Sequence, residues 1–76
     1  MPTFFIINDV KIELYYKDHN PPHFHAIIAE NDALIEIKTL EILQGKLPKN
    51  KQKVILTWAK ENEKTLMGIW NSLRDM

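Results

Sequence analysis

The sequence predicts an α+β domain: a small antiparallel sheet of four or five strands packed against one long or kinked C-terminal helix, or against two helices. Three observations predict it. Apolar residues alternate with period two through the first half of the chain. From Asn50 onward they recur in steps of three and four. The links between candidate strands are too short for helical crossovers, which leaves a meander. An apolar sheet face and an apolar helix stripe then bury each other in two layers.

Each element follows in order. TFFII, Thr3 to Ile7, is a short apolar strand ended by the turn pair Asn8-Asp9. KIELYY, Lys11 to Tyr16, places Ile12, Leu14 and Tyr16 on one face and Lys11, Glu13 and Tyr15 on the other. KDHNPP ends that strand, because Pro21 and Pro22 donate no backbone hydrogen bond and Pro22 holds Pro21 extended. HFHAII, His23 to Ile28, resumes a strand, and AENDA turns the chain. ALIEIK, Ala33 to Lys38, aims Ala33, Ile35 and Ile37 at one face, and LEIL, Leu40 to Leu43, adds a short fifth strand before Gly45. Asn50, just after Pro48, is the expected helix cap. An unbroken helix to Leu73 would be roughly 36 Å long at 1.5 Å per residue, which is long for so small a body. The polar run Lys60-Glu61-Asn62-Glu63 is the place for a kink or a break. Trp58 and Trp70 follow the stripe and are expected in the core or at an interface.

The 76 residues form one domain spanning 1–76, with no repeat, linker or low-complexity tract. With 45% apolar and 26% charged residues the chain is globular rather than disordered. Ten basic residues balance ten acidic ones, so no global field draws in nucleic acid or an anionic membrane. Cysteine is absent, which excludes disulfides, thiol chemistry and thiolate zinc sites and is compatible with a reducing cytoplasm. No apolar run of about 18 residues predicts a membrane span, and no basic region precedes the short apolar patch as in a signal peptide.

The chemistry concentrates in DHNPPHFHA, which holds all three histidines. Period two puts His23 and His25 on one face, opposite Phe24 and Ala26. The Asn20-Pro21-Pro22 bend is expected to return His19 toward them. Imidazoles suit a divalent metal such as zinc, proton transfer near neutral pH, or hydrogen bonding to a phosphate or carboxylate. Asp18 is a fourth ligand or orients a ring from behind. Glu13 joins as ligand or base if its strand pairs with that of the histidines, and Tyr15 shares its face. Set against these is a plain strand surface whose histidines make local hydrogen bonds.

A second feature is GKLPKNKQK, with Lys46, Lys49, Lys51 and Lys53 and no acid among them. Lys51 and Lys53 fall at the helix start, where positive charge opposes the helix dipole. An anion there would turn the conflict into attraction, which fits RNA, DNA or an acidic protein surface. A solvated loop face is the plainer explanation of the run, and no RNA- or DNA-binding signature accompanies it.

LYYKDHNPPHFHA, ALIEI, LEILQGKLP and WAKENEKTLMGIW together resemble the small bacterial DUF4160 proteins, whose function is unknown. The resemblance rests chiefly on Asp18, His19, Pro21, Pro22, His23, Phe24, His25 and Ala26, with Gly45, Leu47, Pro48, Trp58 and Trp70 in support. It implies a cytoplasmic accessory protein with a protein partner of the DUF2442 type and a toxin–antitoxin association. It implies no assigned reaction. Two positions depart from the family pattern: Glu13 stands where arginine is expected, and Ala29-Glu30-Asn31-Asp32 replaces a glycine-containing turn.

Three functions remain open, and with them whether the chain is an enzyme. The first is an interaction or regulatory module, such as one subunit of a toxin–antitoxin-like pair. The second is a metal-dependent hydrolase or nuclease using His19, His23 and His25. The third is a nucleic-acid contact module through Lys46 to Lys53.

Overall fold

The computed structural model describes residues 3–15 and 19–74. Five antiparallel strands lie in sequence order and two helices follow: β1 (Thr3–Ile7), β2 (Val10–Leu14), β3 (His23–Ile28), β4 (Asn31–Glu36), β5 (Ile42–Gln44), α1 (Lys49–Glu61) and α2 (Glu63–Arg74). The α+β expectation holds, with five strands and two helices.

The hairpin turns are tight. Asn8 and Asp9 both take positive φ, 50° and 69°, between the paired Ile7 and Val10. Such a two-residue turn matches the right-handed twist of its strands, and asparagine and aspartate tolerate the conformation. Between β3 and β4 the turn is only Ala29-Glu30, because Ile28 already pairs with Asn31. The expected turn over 29–33 is thus shortened, and Ala29 takes φ 53°. A Cβ there costs roughly 1–2 kcal/mol relative to a right-handed residue.

The link to β5 is less regular. Leu40, expected to open the fifth strand, instead sits in the turn at φ 62°, its N–H donating to the Glu36 carbonyl at 2.9 Å. The register between β4 and β5 then shifts at Leu34 and Ile35. Gly45 follows at φ 73°, and a Cβ on it would stand 1.8 Å from the Asp32 carbonyl oxygen. Only glycine fits so close an approach of two backbones.

One sheet face is the core. Ile12 pairs with Ala26, Ala26 with Ala33, and Phe24 with Ile35, so these share a face, and all are fully buried. α1 adds Ile55 and Ala59, and α2 adds Leu66, Trp70 and Leu73. The half-buried Trp58 ring meets Phe5 at 5.6 Å and Phe24 at 6.2 Å between centroids, which places α1 over this face. Each fully buried large side chain contributes about 1.5–3 kcal/mol of transfer free energy.

The helix start differs from expectation. α1 begins at Lys49 with Pro48 flanking it and no side-chain cap, so Asn50 lies inside the first turn. Pro48, at φ −55° and lacking an N–H, is pre-set for that place, and its carbonyl accepts the Gln52 N–H at 2.8 Å. The break falls at Asn62, within the polar run. Its Nδ2 donates to the Trp58 carbonyl at 2.8 Å and its N–H to the same oxygen at 3.0 Å. Its own carbonyl accepts the Leu66 N–H at 2.9 Å, so one residue closes α1 and opens α2. Among the described residues no helix is long and apolar enough to cross a membrane.

Candidate functional site

Strand alternation sends His23 and His25 to the face opposite Phe24 and Ala26. Their rings approach to 5.4 Å between centroids, so the two imidazoles do point the same way together. β2 pairs with β3, and Glu13 lies directly across from His25. Tyr15, just past β2, sets its ring edge-on to His25 at 4.9 Å. The strand pairing on which the candidacy of Glu13 depended is therefore present.

Glu13 is buried although its face is the polar one. Its carboxylate accepts a hydrogen bond from the Tyr15 hydroxyl at 2.7 Å and lies 3.6 Å from the Lys11 ammonium. A buried carboxylate needs such donors, since an unpaired one would be expelled or neutralised. The pair makes one polar unit with Tyr15, which in turn abuts His25.

The two histidines differ. His23 is buried, with Nδ1 2.8 Å from the Pro21 carbonyl oxygen. A carbonyl only accepts, so Nδ1 carries the proton, and Nε2 is the acceptor or ligand nitrogen of the neutral ring. The Trp70 ring lies 5.2 Å away, and the Arg74 guanidinium stacks on Trp70 at 3.9 Å. Arg74 also donates to the Tyr15 carbonyl at 3.3 Å, tying the end of α2 to the end of β2. His25 is half-buried, with Nδ1 3.8 Å from the exposed Asp32 carboxylate, a loose electrostatic contact rather than a hydrogen bond.

His19 does not join His23 and His25 in a metal-holding group. His19 is exposed and precedes Asn20, whose bond to Pro21 is cis. Asp18 lies outside the described residues. Among the described residues no group of three or more histidine, aspartate or glutamate side chains is placed to hold a metal ion.

The lysine run divides. Lys46, Lys49 and Lys53 are exposed. Lys51 is not a free cation of a patch: its ammonium donates to the Asn8 carbonyl at 3.0 Å and to Asn8 Oδ1 at 3.1 Å, with Asp9 at 3.9 Å. It ties the start of α1 to the β1–β2 turn, which accounts for a cation at an unfavourable helix position. A cleft of about 300 Å³ opens at the helix junction, lined by residues 60 to 65, away from both the histidines and the lysine run.

Lys11, Asp32 and Arg74, which meet Glu13, His25 and Trp70, were not singled out as site residues from the sequence. Lys11 shares the period-two face of Glu13 and was within reach, whereas Asp32 follows from a β3–β4 register that the sequence did not signal. Arg74 stands one helical step of four beyond Trp70 and was findable as its neighbour. That Trp70 itself lies against His23 had no local signal.

A family model described as a domain of unknown function, DUF4160, matches residues 10–71. No curated protein and no solved structure matches the chain. The match spans most of the chain and every described part of the histidine cluster, and the chain belongs to this family.

Proposed function

We propose that this DUF4160 chain is a small cytoplasmic interaction and regulatory protein, one subunit of a toxin–antitoxin-like pair, and that its contact surface is the sheet face bearing Tyr15 and His25. A DUF2442-type protein is the partner this reading names. The observation that carries it is the Tyr15–His25 ring pair, half-buried on the face opposite Phe24 and Ala26. Ile27 and Leu34, also half-buried, flank it on that face, and Lys11 and Asp32 stand exposed at its margin. An aromatic centre with a charged rim is how protein contact surfaces are commonly built.

The test is to co-express the chain with the product of the adjacent gene and measure the complex by light scattering and calorimetry. A stable complex is expected, weakened about 30-fold or more when Tyr15 and His25 are both changed to alanine. Absence of a complex, or one indifferent to that double substitution, overturns the reading.

A second reading, a metal-dependent hydrolase or nuclease, draws support from the close approach of the two imidazoles. His23 and His25 would hold the ion, with the further ligands coming from outside the described residues, since no described third side chain is placed to join them, and the metal would supply an activated water. Elemental analysis of untagged protein, with a zinc thermal shift, tests it. Metal lost in the His23→Ala, His25→Ala variant supports it, and metal-free protein unmoved by zinc rejects it. Nucleic-acid contact through Lys46, Lys49 and Lys53 would instead show as binding that falls steeply with salt.

A further inference from the structure

A sheet whose strands run in sequence order has two outer edges, here β1 and β5. They are treated differently. β5 has three residues, meets β4 through a register shift, and is bracketed by Leu40 and Gly45, both left-handed. Short, irregular outer strands are how natural sheets blunt an edge. Among the described residues β1 carries no such guard. Its five residues, TFFII, hold no charge, proline or glycine, and its register with β2 is regular from Thr3 to Ile7. Ile6 on it is 67% exposed, the most exposed large apolar side chain among the described residues.

The hairpin dictates which backbone groups face outward. Across the two-residue turn, Ile7 and Val10 form a hydrogen-bonded pair. Alternation makes Phe5–Ile12 and Thr3–Leu14 hydrogen-bonded as well, and leaves Ile6–Lys11 and Phe4–Glu13 as the other kind. The N–H and C=O of Phe4 and Ile6 therefore point away from β2, toward the open edge.

We infer that β1 is a self-association site, where a second copy of the chain adds its own β1 antiparallel about a twofold axis at Phe5. Within the strand only one register pairs all four outward groups. Phe4 stands opposite Ile6 of the second copy, Ile6 opposite its Phe4, and Phe5 opposite its counterpart. The charges agree with this register. Reading outward from the seam, Ile6 is backed by Lys11, and Phe4 of the second copy is backed by its Glu13. β1 itself holds no charged residue, so no like charges meet at the seam, and the rows run on past Lys11 to Ile27 and past Glu13 to His25. The contact is isologous, as a twofold dimer requires. One short strand contributes little area, so the dimer belongs to the weak class. The inference concerns the chain alone and stands apart from the partner reading above.

Sedimentation equilibrium of untagged protein, from about 10 µM to about 1 mM, tests it. A concentration-dependent rise toward twice the chain mass is expected. Ile6→Lys should move that rise to at least about tenfold higher concentration, since a charged edge resists pairing. Ile6→Pro deletes an outward N–H while sparing the ladder to β2, and should act likewise. Leu43→Lys, on the guarded edge, should change nothing. In the unaltered protein, hydrogen-exchange protection of the Phe4 and Ile6 amides should grow with concentration. A monomer throughout, a dimer indifferent to both Ile6 variants, or amide protection independent of concentration overturns the inference.

Discussion

The two faces of β3 are built from alternate residues of one strand, yet they obey different rules. Phe24 and Ala26 are fully buried among residues of both helices and of the flanking strands, and their role is to fill space. On the other face His23 is buried and His25 half-buried, and each ring is held by specific polar or aromatic neighbours. Burial on the first face follows from hydrophobicity alone. On the second it depends on particular groups arriving from far along the chain. Two histidines two residues apart thus share a direction but not a role: His23 is a structural joint between β3 and α2, and His25 is the one presented outward.

Substitutions on the two faces sharpen that contrast. Phe24→Ala should be the most damaging, costing about 3–5 kcal/mol through lost transfer energy and a cavity. Urea denaturation would show it, with little folded protein remaining. His23→Ala should cost about 1–3 kcal/mol by removing a buried ring and its hydrogen bond. Over the same titration His25→Ala should stay within about 1 kcal/mol. Equal losses at both positions would erase the distinction between them. His23→Phe separates packing from polarity: it keeps the ring against Trp70, so it should recover part of the loss seen with alanine. Tyr15→Phe deprives the buried Glu13 carboxylate of a donor and should cost about 1–2 kcal/mol. Ala29→Gly, at the turn that holds both faces in register, should have the smallest effect and the opposite sign. Relief of left-handed strain outweighs the extra chain entropy by about 0.5 kcal/mol, readable as a small rise in Tm.

Much of this was legible in advance. Alternation in KIELYY and HFHAII named the buried residues Ile12, Leu14, Phe24 and Ala26 because side-chain direction in a strand is a local property. The polar run around Asn62 marked the place but left a bend and a break both open; the break follows from the asparagine side chain, which competes with the backbone for the carbonyl four residues back. Boundaries were less accessible. β4 starts two residues earlier than expected because a two-residue turn at Ala29 leaves no slack, and alanine gives no sign of a left-handed turn. The helix cap was assigned to Asn50 although Pro48 already served as the flank. At the site, the direction shared by His23 and His25 could be read from spacing, whereas the pairing of Glu13 with β3 stood only as a condition until the structure showed it. The burial of His23 could not, because Trp70 stands 47 positions away and reaches it only once the sheet and α2 have formed. Lys51 shows the same limit, since its partners Asn8 and Asp9 belong to the opposite end of the chain.

Gly45 carries a consequence for any search for the binding surface. It is exposed and stands next to Lys46, so a mutational library screened for loss of function would return it as indispensable. Its intolerance would nevertheless arise from the Asp32 carbonyl beneath it and not from a ligand above it. Gly68, exposed on α2 with nothing within 4 Å of an added Cβ, provides the matched control: alanine there should be silent in such a screen and slightly favourable to the helix. Scoring the two glycines side by side distinguishes positions silenced by misfolding from those that touch another molecule.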